Sequence, residues 1–351
     1  MALSGTKGRK PGLSLLTKAA LSAGALYGAG KLLAISARRQ KIELRNQVVL
    51  ITGGSRGLGF ALAQELGARG CRLALCARNA DELQKACESL AQRGIEAAPF
   101  ACDISDESEI PALVKRVWEH FGTIDILINN AGHISVGPMD TFDRSDYERA
   151  MNVMFWAPLN LTFAALPYLK RARRGHIVNI TSVGGRVSIP HLLPYSCAKF
   201  ALVGFSTGIG SELSLEGIHV LTVVPGLMRT GSYLNAEFKG KARQEFAWFG
   251  VLGNFPGFTV AAEYAARCIC KALENGRSTC TISLPAKLLI AWEAVMPETA
   301  RMMLQFVNRA MLPGSNMQTS SLRGKVLDRQ FGKIFKTVTF LGKSSAQRLN
   351  E

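Results

Sequence analysis

Tyr195 and Lys199 form a pair whose side-chain types and spacing suit acid–base chemistry. They stand four residues apart in YSCAK, so on a helix both side chains project from the same face. A free tyrosine has a pKa of about 10, too high for proton exchange at neutral pH, and a nearby ammonium favours the phenolate. Taken alone the pair is a weak signal, because a tyrosine and a lysine at this spacing usually form a surface pair.

A glycine-rich segment, TGGSRGLG, places Gly53, Gly57 and Gly59 between an apolar run and a helical pattern that begins near Phe60. Backbone N–H groups in such a turn can approach a pyrophosphate, and the helix N-terminus favours its negative charge. The spacing T-G-x-x-x-G-x-G is wider than the ordinary dinucleotide fingerprint. We interpret the segment as a dinucleotide-binding loop; the alternative is a glycine turn needed only for close packing.

This glycine spacing resembles that of the short-chain dehydrogenase/reductase family, in the branch with a TGxxxGxG loop and a YxxxK active site. Further motifs match in family order over about residues 46–285: CD at 102–103, NNAG at 129–132, Asn152, Ser182, YSCAK at 195–199 and PGLMRT at 225–230. The resemblance implies an oxidoreductase that transfers a hydride between a nicotinamide cofactor and a carbonyl or secondary alcohol.

The resemblance also assigns roles to individual residues. Tyr195 would be the general acid towards a ketone or the general base towards an alcohol, and Lys199 would lower its pKa and bind the nicotinamide ribose. Ser182 would hydrogen-bond the substrate oxygen, and Asn152 would hold a water that links Lys199 to solvent. The implied cofactor-binding residues are Gly53, Ser55, Arg56, Gly57, Leu58, Gly59, Arg78, Asp103, Ile104, Asn130, Ala131, Gly132, Tyr195, Lys199, Pro225, Gly226, Met228 and Thr230.

Two arginines bear on the choice of cofactor. Arg78 lies at the end of the second apolar run, where an acidic residue would suit NAD, and Arg56 lies inside the glycine loop. Two guanidiniums can fork around the 2′-phosphate of NADP. We therefore predict NADP(H) as the preferred cofactor, with NAD(H) as the alternative. In the alternative interpretation, Arg78 only caps the end of the strand.

The elements that must position these residues are visible as seven apolar runs alternating with helical periodicity. The runs are QVVLITGG, CRLALCAR, AAPFACD, IDILINNAG, GHIVNITS, HVLTVVPG and STCTISL, and the helical patterns cover about 58–69, 80–93, 107–121, 144–171, 197–216 and 261–275. Near-continuous apolar strands predict a parallel sheet covered on both faces. We expect one α/β, doubly wound, Rossmann-type domain with seven strands over residues 46–285.

The charge distribution separates the two ends from this domain. Nine basic and one acidic residue give residues 1–45 a charge of +8, and ten basic and four acidic residues give 286–351 a charge of +6, so the centre keeps only +2 of the total of +16. Such ends suit an anionic membrane surface or remain solvated, and no zinc-finger spacing accompanies them. We predict no nucleic-acid partner.

Both extensions contain apolar segments. Residues 19–37 are interrupted by Lys31 and are interpreted as a membrane anchor or surface helix, with a soluble arm or a secretory signal as alternatives. Apolar residues in 286–314 follow helical spacing and predict a helix packed on the domain, across a dimer seam or on a membrane surface. Beyond Ser315 we expect loose order.

Composition bounds the remaining expectations. Eight cysteines without a CxxC pair indicate buried thiols in a reducing, cytoplasmic compartment. The scattered histidines lack metal-ligand spacing, so no metal is predicted. Seven aromatic residues in 227–258 favour a hydrophobic substrate, with a buried interface as the alternative.

The resemblance to the short-chain dehydrogenase/reductase family also implies a homodimer or tetramer. The competing function is a non-catalytic dinucleotide-binding scaffold at a membrane or partner surface; an epimerase or dehydratase conflicts with the glycine spacing.

Overall fold

Within the part of the chain that the structure describes, twelve strands form the sheets. The computed structural model describes residues 41–172 and 175–351, apart from the side chains at 333, 334 and 336; the apolar segment 19–37 lies outside them. The strands are β1 (Val48–Thr52), β2 (Arg72–Ala77), β3 (Ala97–Ala101), β4 (Ile126–Asn129), β5 (Ser135–Val136), β6 (His176–Ile180), β7 (His219–Pro225), β8 (Leu227–Arg229), β9 (Glu237–Phe238), β10 (Thr259–Ala261), β11 (Thr279–Ile282) and β12 (Leu322–Arg323).

The helices follow the predicted alternation with strands. They are α1 (Gly57–Gly67), α2 (Ala80–Ala91), α3 (Ile110–Phe121), α4 (Arg144–Met151), α5 (Ala157–Arg171), α6 (Leu193–Glu212), α7 (Ser232–Asn235), α8 (Ala242–Leu252), α9 (Ala262–Glu274), α10 (Leu284–Val295), α11 (Pro297–Met311), α12 (Gly324–Asp328), α13 (Lys333–Val338) and α14 (Phe340–Arg348). A π-helical turn, Asn152–Trp156, joins α4 to α5.

Seven of the strands form one parallel sheet in the order β3-β2-β1-β4-β6-β7-β11. The chain moves outward from β1 to β3 in one direction and from β4 to β11 in the other. The carboxyl ends of β1 and β4 therefore flank the crevice where doubly wound sheets bind ligands. The predicted doubly wound Rossmann-type fold with seven parallel strands is confirmed.

Both faces of this sheet are buried because its strands are apolar on both sides. Val49 and Ile51 of β1 join one core cluster with α1, α2 and α9, whereas Val48 and Leu50 join a second cluster with α3 and α5. All four side chains are fully buried. Burying a side chain of this size contributes about 1.5–3 kcal/mol, so the two layers hold the strand ends in place.

The predicted helix over 144–171 is interrupted at the π-turn. The N–H of Ala157 donates to the carbonyl oxygen of Asn152, five residues back. Pro158 has no N–H and cannot close an ordinary helical hydrogen bond there. Asn152 consequently begins a widened turn, a feature that is frequent at functional sites.

The prediction of loose order beyond Ser315 is wrong. β12 pairs antiparallel with β9, and Leu327, Phe331 and Phe335 pack against the aromatic side chains of α8. These apolar residues recur every four positions, but their partners on α8 are distant in the chain and only the tertiary fold brings them together.

The α10–α11 pair leaves most of its apolar side chains exposed, including Leu288, Trp292 and Phe306. Within residues 41–172 and 175–351, no helix is both long and apolar enough to cross a membrane.

Candidate active site

The glycine loop joins β1 to α1 at the sheet crevice and is shaped by its glycines. Gly53 and Gly57 adopt left-handed backbone conformations, with φ of 62° and 58°, which residues with a side chain rarely adopt. A Cβ on Gly59 would lie 2.0 Å from the carbonyl oxygen of Gly53. Ser55 and Leu58 are buried beside them. The loop therefore presents backbone to the crevice, and its donor chemistry fits a dinucleotide diphosphate.

The NNAG segment after β4 holds this loop. The Asn130 side-chain amide donates to the carbonyl oxygens of Thr52 and Gly53 at 2.9 and 3.2 Å. The backbone N–H groups of Asn130 and Ala131 donate to the Thr52 hydroxyl at 2.9 and 3.1 Å. Asn130 thus positions the glycine loop, and the exposed Gly132 follows at the crevice.

Ser182, Tyr195 and Lys199 come together at the carboxyl end of β6. Tyr195 and Lys199 lie one turn apart near the start of α6, and the Lys199 Nζ is 5.9 Å from the centre of the Tyr195 ring. Ser182, just beyond β6, lies near the Tyr195 ring, since a Cβ on Gly184 would be 3.5 Å from the Ser182 Oγ and 3.2 Å from the Tyr195 Cε1. The Lys199 Nζ donates to the carbonyl oxygen of Ile180 at 2.8 Å.

Burial controls the protonation of this group. It lowers the pKa of Lys199 to about 7, because a desolvated ammonium is disfavoured. It raises the pKa of Tyr195, and the hydrogen bond with Ser182 only partly opposes this. The expected lowering of the Tyr195 pKa by Lys199 is therefore not seen here, and the neutral phenol is the form present at neutral pH.

Among the described residues, the Asn152 side chain makes no hydrogen bond with Ser182, Tyr195 or Lys199. Its side chain is exposed and lines a surface cavity with Ile104, Trp156 and Asn160. The structure places its backbone carbonyl in the π-turn, and the predicted role in holding a water stays a prediction.

The two arginines predicted to choose the cofactor each face an acid. The Arg78 Nη1 lies 3.9 Å from Asp103 Oδ2, and the Arg56 Nη1 lies 3.4 Å from Glu82 Oε2. Arg78 is largely exposed, at 72% of its side chain. Sequence reasoning missed Glu82, which comes from the first turn of α2.

The PGLMRT segment closes the crevice from the β7 side. Pro225 ends β7, and a Cβ on Gly226 would lie 2.4 Å from the Ser283 hydroxyl oxygen. Met228 lies in β8, opposite Val260 of β10. The buried Thr230 accepts a hydrogen bond from the N–H of Ser232 at 3.2 Å.

The aromatic excess in 227–258 mostly serves packing. Four of the seven aromatic side chains are buried in one cluster, namely Tyr233, Phe238, Phe246 and Phe249. Phe255 and Phe258 are half-exposed neighbours of each other. Tyr195 itself packs against this cluster, as do Ile134, Ile189 and Trp248, so its surroundings on that side are apolar.

The contact of His191, four residues before Tyr195, with Glu245 could not be predicted from the sequence. Its Nδ1 lies 2.9 Å from Glu245 Oε1, and the Trp248 Nε1 donates to Glu245 Oε2 at 2.6 Å. No spacing along the chain connects His191 with Glu245, so only the fold reveals this buried pair.

Comparison with known proteins adds a family match. Residues 47–238 match the profile described as short chain dehydrogenase. Dehydrogenase/reductase SDR family member 7B of Bos taurus is 35% identical over 205 residues, 56% of this chain and 63% of that protein. A Streptomyces coelicolor protein named "Putative ketoacyl reductase" is 35% identical over 187 residues, 53% of this chain and 72% of that protein.

A solved structure of similar fold is a metagenomic short-chain oxidoreductase in complex with NADP. It shares 28% sequence identity with a TM-score of 0.56, over 69% of this chain and 98% of that one. The present chain spans less than two thirds of the bovine relative, so the likeness concerns the nucleotide-binding domain rather than the full length of that protein.

Proposed function

The chain belongs to the short-chain dehydrogenase family, and from this premise we propose that it is an NADP(H)-dependent oxidoreductase acting on a carbonyl or secondary alcohol of a hydrophobic substrate. The observation that carries the proposal is the gathering of Ser182, Tyr195 and Lys199 at the carboxyl end of β6, the strand next to β4 in the sheet. A bound nicotinamide would supply or accept the hydride.

The residues present support proton transfer in the direction of ketone reduction. Ser182 can donate a hydrogen bond to the carbonyl oxygen on which negative charge develops. The neutral Tyr195 phenol can give its proton to the same oxygen. With a pKa of about 7, Lys199 can return a proton to the phenolate at neutral pH. In the oxidation of an alcohol the proton would travel the opposite way.

The preference for NADP(H) over NAD(H) is supported by charge at the glycine loop. Arg56 precedes α1 in the glycine loop and Arg78 directly follows β2, the two places nearest to where the adenine ribose would sit. Each guanidinium lies within 4 Å of a carboxylate, of Glu82 and Asp103 respectively, and both remain partly exposed and can reach a phosphate. The similar metagenomic structure contains NADP.

The hydrophobic substrate class is supported by the apolar side chains near Tyr195, which include Ile134, Ile189 and Trp248. The likeness to a protein named as a ketoacyl reductase agrees with this class.

The remaining proposals concern assembly and location. Homo-oligomerisation is supported by Trp156, Phe163 and Phe200, three exposed apolar side chains on the π-turn, α5 and α6.

A reducing, cytoplasmic compartment is supported by the eight cysteines, which are all free in the structure. Contact with an anionic membrane is supported by the exposed apolar side chains of α10 and α11.

The proposed activity is tested by following NADPH and NADH oxidation against long-chain ketones, β-keto acyl thioesters, steroids and short polar carbonyls. We expect turnover of apolar substrates with NADPH, and a loss of about 10²- to 10⁴-fold in Tyr195→Phe. Tyr264→Phe, which removes a hydroxyl from a half-exposed ring on α9, is the matched control.

Equal activity of Tyr195→Phe and the parent would contradict the catalytic assignment. Tight NADPH binding without turnover of any substrate in the panel would favour the non-catalytic scaffold, for which the exposed face of α10 and α11 is the supporting observation.

A further inference from the structure

Residues 349–351, here called the loop-capping segment, lie against the glycine loop. The N–H of Gly57, the first residue of α1, donates to the carbonyl oxygen of Leu349 at 2.9 Å. The Asn350 side-chain amide donates to the carbonyl oxygen of Ser55 at 2.8 Å. Asn350 itself has a left-handed backbone, with φ of 60°, a conformation that asparagine tolerates. The segment thereby turns into the crevice.

The next residue, Glu351, brings an acidic group between two backbone segments predicted to hold the cofactor. Its Oε2 accepts a hydrogen bond from the N–H of Gly231, which follows Thr230. Its Oε1 would lie 2.8 Å from a Cβ placed on Gly57. The carboxyl group therefore spans the glycine loop and the PGLMRT segment.

This position has the electrostatics of an anion site. The N-terminus of α1 carries the positive end of the helix dipole, and the charge of Arg56 in the glycine loop favours the ionised Glu351 carboxylate. Lys325, on α12, adds a second positive charge. Burial opposes these charges and raises the pKa of Glu351 to about 7. A diphosphate would meet the same backbone donors and the same guanidinium.

The loop-capping segment is held by packing as well as by these polar contacts. Leu349 is buried in the core cluster that contains α1 and α9. Further back in α14, the Lys343 Nζ donates to Asp328 Oδ2 at 2.7 Å, and Arg348 lies 3.5 Å from Glu263. The segment is therefore docked through α14 and is part of the folded protein.

We propose that the loop-capping segment is an internal ligand of the dinucleotide site, and that an anionic dinucleotide binds only when Asn350 and Glu351 leave the glycine loop. The reason is competition for atoms: the Gly57 N–H cannot serve a phosphate while it is bonded to Leu349, and the Glu351 carboxyl occupies the space above Gly57. The proposal rests on the proposed function, because it takes the glycine loop as a dinucleotide site.

The first experiment measures NADPH binding to the full chain by cofactor fluorescence. Glu351→Ala removes the carboxyl, and Glu351→Gln keeps its shape without its charge. We expect the NADPH dissociation constant of Glu351→Ala to fall at least about fivefold, because the Glu351 carboxyl no longer has to leave the glycine loop before NADPH binds. Gln347→Ala, at an exposed position on α14, should bind like the parent.

A second measurement needs no substitution. Hydrogen–deuterium exchange of the unaltered protein should become faster in residues 345–351 when NADPH is added, while exchange at residues 53–60 slows. Asn350→Ala, which removes the contact with Ser55, should change NADPH affinity in the same direction as Glu351→Ala.

Equal NADPH affinity of the parent and Glu351→Ala, or slower exchange of residues 345–351 with NADPH, would overturn the competition while leaving the dinucleotide site intact. Failure of all variants and the parent to bind NADPH or NADH would instead refute the dinucleotide site, and the proposed function with it.

Discussion

At the scale of single residues, burial decides the protonation states that the candidate site offers. Lys199 is only 4% exposed, and its ammonium hydrogen-bonds a backbone carbonyl rather than a carboxylate. The cost of desolvation therefore appears as a lowered pKa, of about 7. Burial instead raises the pKa of Tyr195, because it disfavours the charged phenolate.

The buried lysine should make folding stability depend on pH. An unfolded lysine keeps its proton up to a pKa of about 10.4, whereas the folded protein releases it at about 7. Between these values the unfolded state binds more protons, so stability rises with pH. We compare the free energy of unfolding in urea of Lys199→Met with that of the parent. The value for the variant minus that for the parent should be about 2 kcal/mol larger at pH 7 than at pH 9.

The exposed Lys115 supplies the control for this measurement. The stability difference between Lys115→Met and the parent should be the same at both pH values. A pH-independent difference for Lys199→Met as well would show that Lys199 is not desolvated.

The proposed preference for NADP(H) can also be tested at a single residue. Replacing the largely exposed guanidinium in Arg78→Asp should place a carboxylate beside Asp103, where it would repel a 2′-phosphate. We expect the KM for NADPH to rise about tenfold or more, which corresponds to about 1.4 kcal/mol, with a smaller change for NADH. Steady-state kinetics with both cofactors measures this.

Arg93→Ala, at an exposed position beyond α2, serves as the control, since it removes a positive charge elsewhere. An equal loss with NADPH and NADH in Arg78→Asp would mean that Arg78 does not discriminate between the two cofactors.

At the scale of elements, the aromatic cluster around α8 joins the Rossmann sheet domain to the residues beyond 320. The Phe246 ring centre lies 5.3 Å from those of Phe238 and Phe335 and 5.4 Å from that of Phe331. Since Phe331 and Phe335 come from the chain beyond α12, this cluster fixes where α14 begins and hence where the loop-capping segment lies.

Phe246→Ala should consequently destabilise the protein by about 3–5 kcal/mol, because the ring is fully buried. Urea unfolding gives the magnitude, and limited proteolysis should show earlier cleavage within residues 312–339. Phe258→Ala, which truncates a half-exposed ring, should cost less than about 1 kcal/mol. Similar losses for both variants would contradict the packing role of Phe246.

The strands were predictable as elements because each combines an apolar run with a turn signal in a short stretch of sequence. The π-turn was not: the pattern over 144–171 is helical throughout, and only the missing N–H of Pro158 marks the interruption. The order beyond Ser315 was missed although Leu327, Phe331 and Phe335 recur every four residues, because the aromatic side chains that they pack against come from α8, about 80 positions earlier in the chain.

At the scale of the whole molecule, apolar surface remains on the α10–α11 pair. Leu288 and Phe306 are exposed by 61% and 66%. Exposed apolar patches of this kind commonly mark interaction sites. The two ends of the chain carry +14 of its net charge of +16, which would attract an anionic membrane.

The combined variant Leu288→Glu/Phe306→Glu should therefore co-sediment less than the parent with vesicles that contain phosphatidylserine. NADPH binding should not change, since neither residue touches the glycine loop. Leu215→Glu, which alters a 93% exposed leucine elsewhere, is the control. Undiminished co-sedimentation would assign any membrane contact to another part of the chain, with residues 19–37 as the first candidate.

The parallel sheet, the glycine loop and the Tyr195–Lys199 pair could be predicted from the sequence, because each depends on residues close together in the chain and on repeating apolar patterns. The burial of Lys199, the pairing of Arg56 with Glu82 and the position of Glu351 at Gly231 emerge only in the folded protein. These depend on contacts between distant residues: Asn350 and Ser55 are 295 positions apart. No local pattern encodes such a contact, since it exists only after the sheet, the aromatic cluster and α14 have packed together.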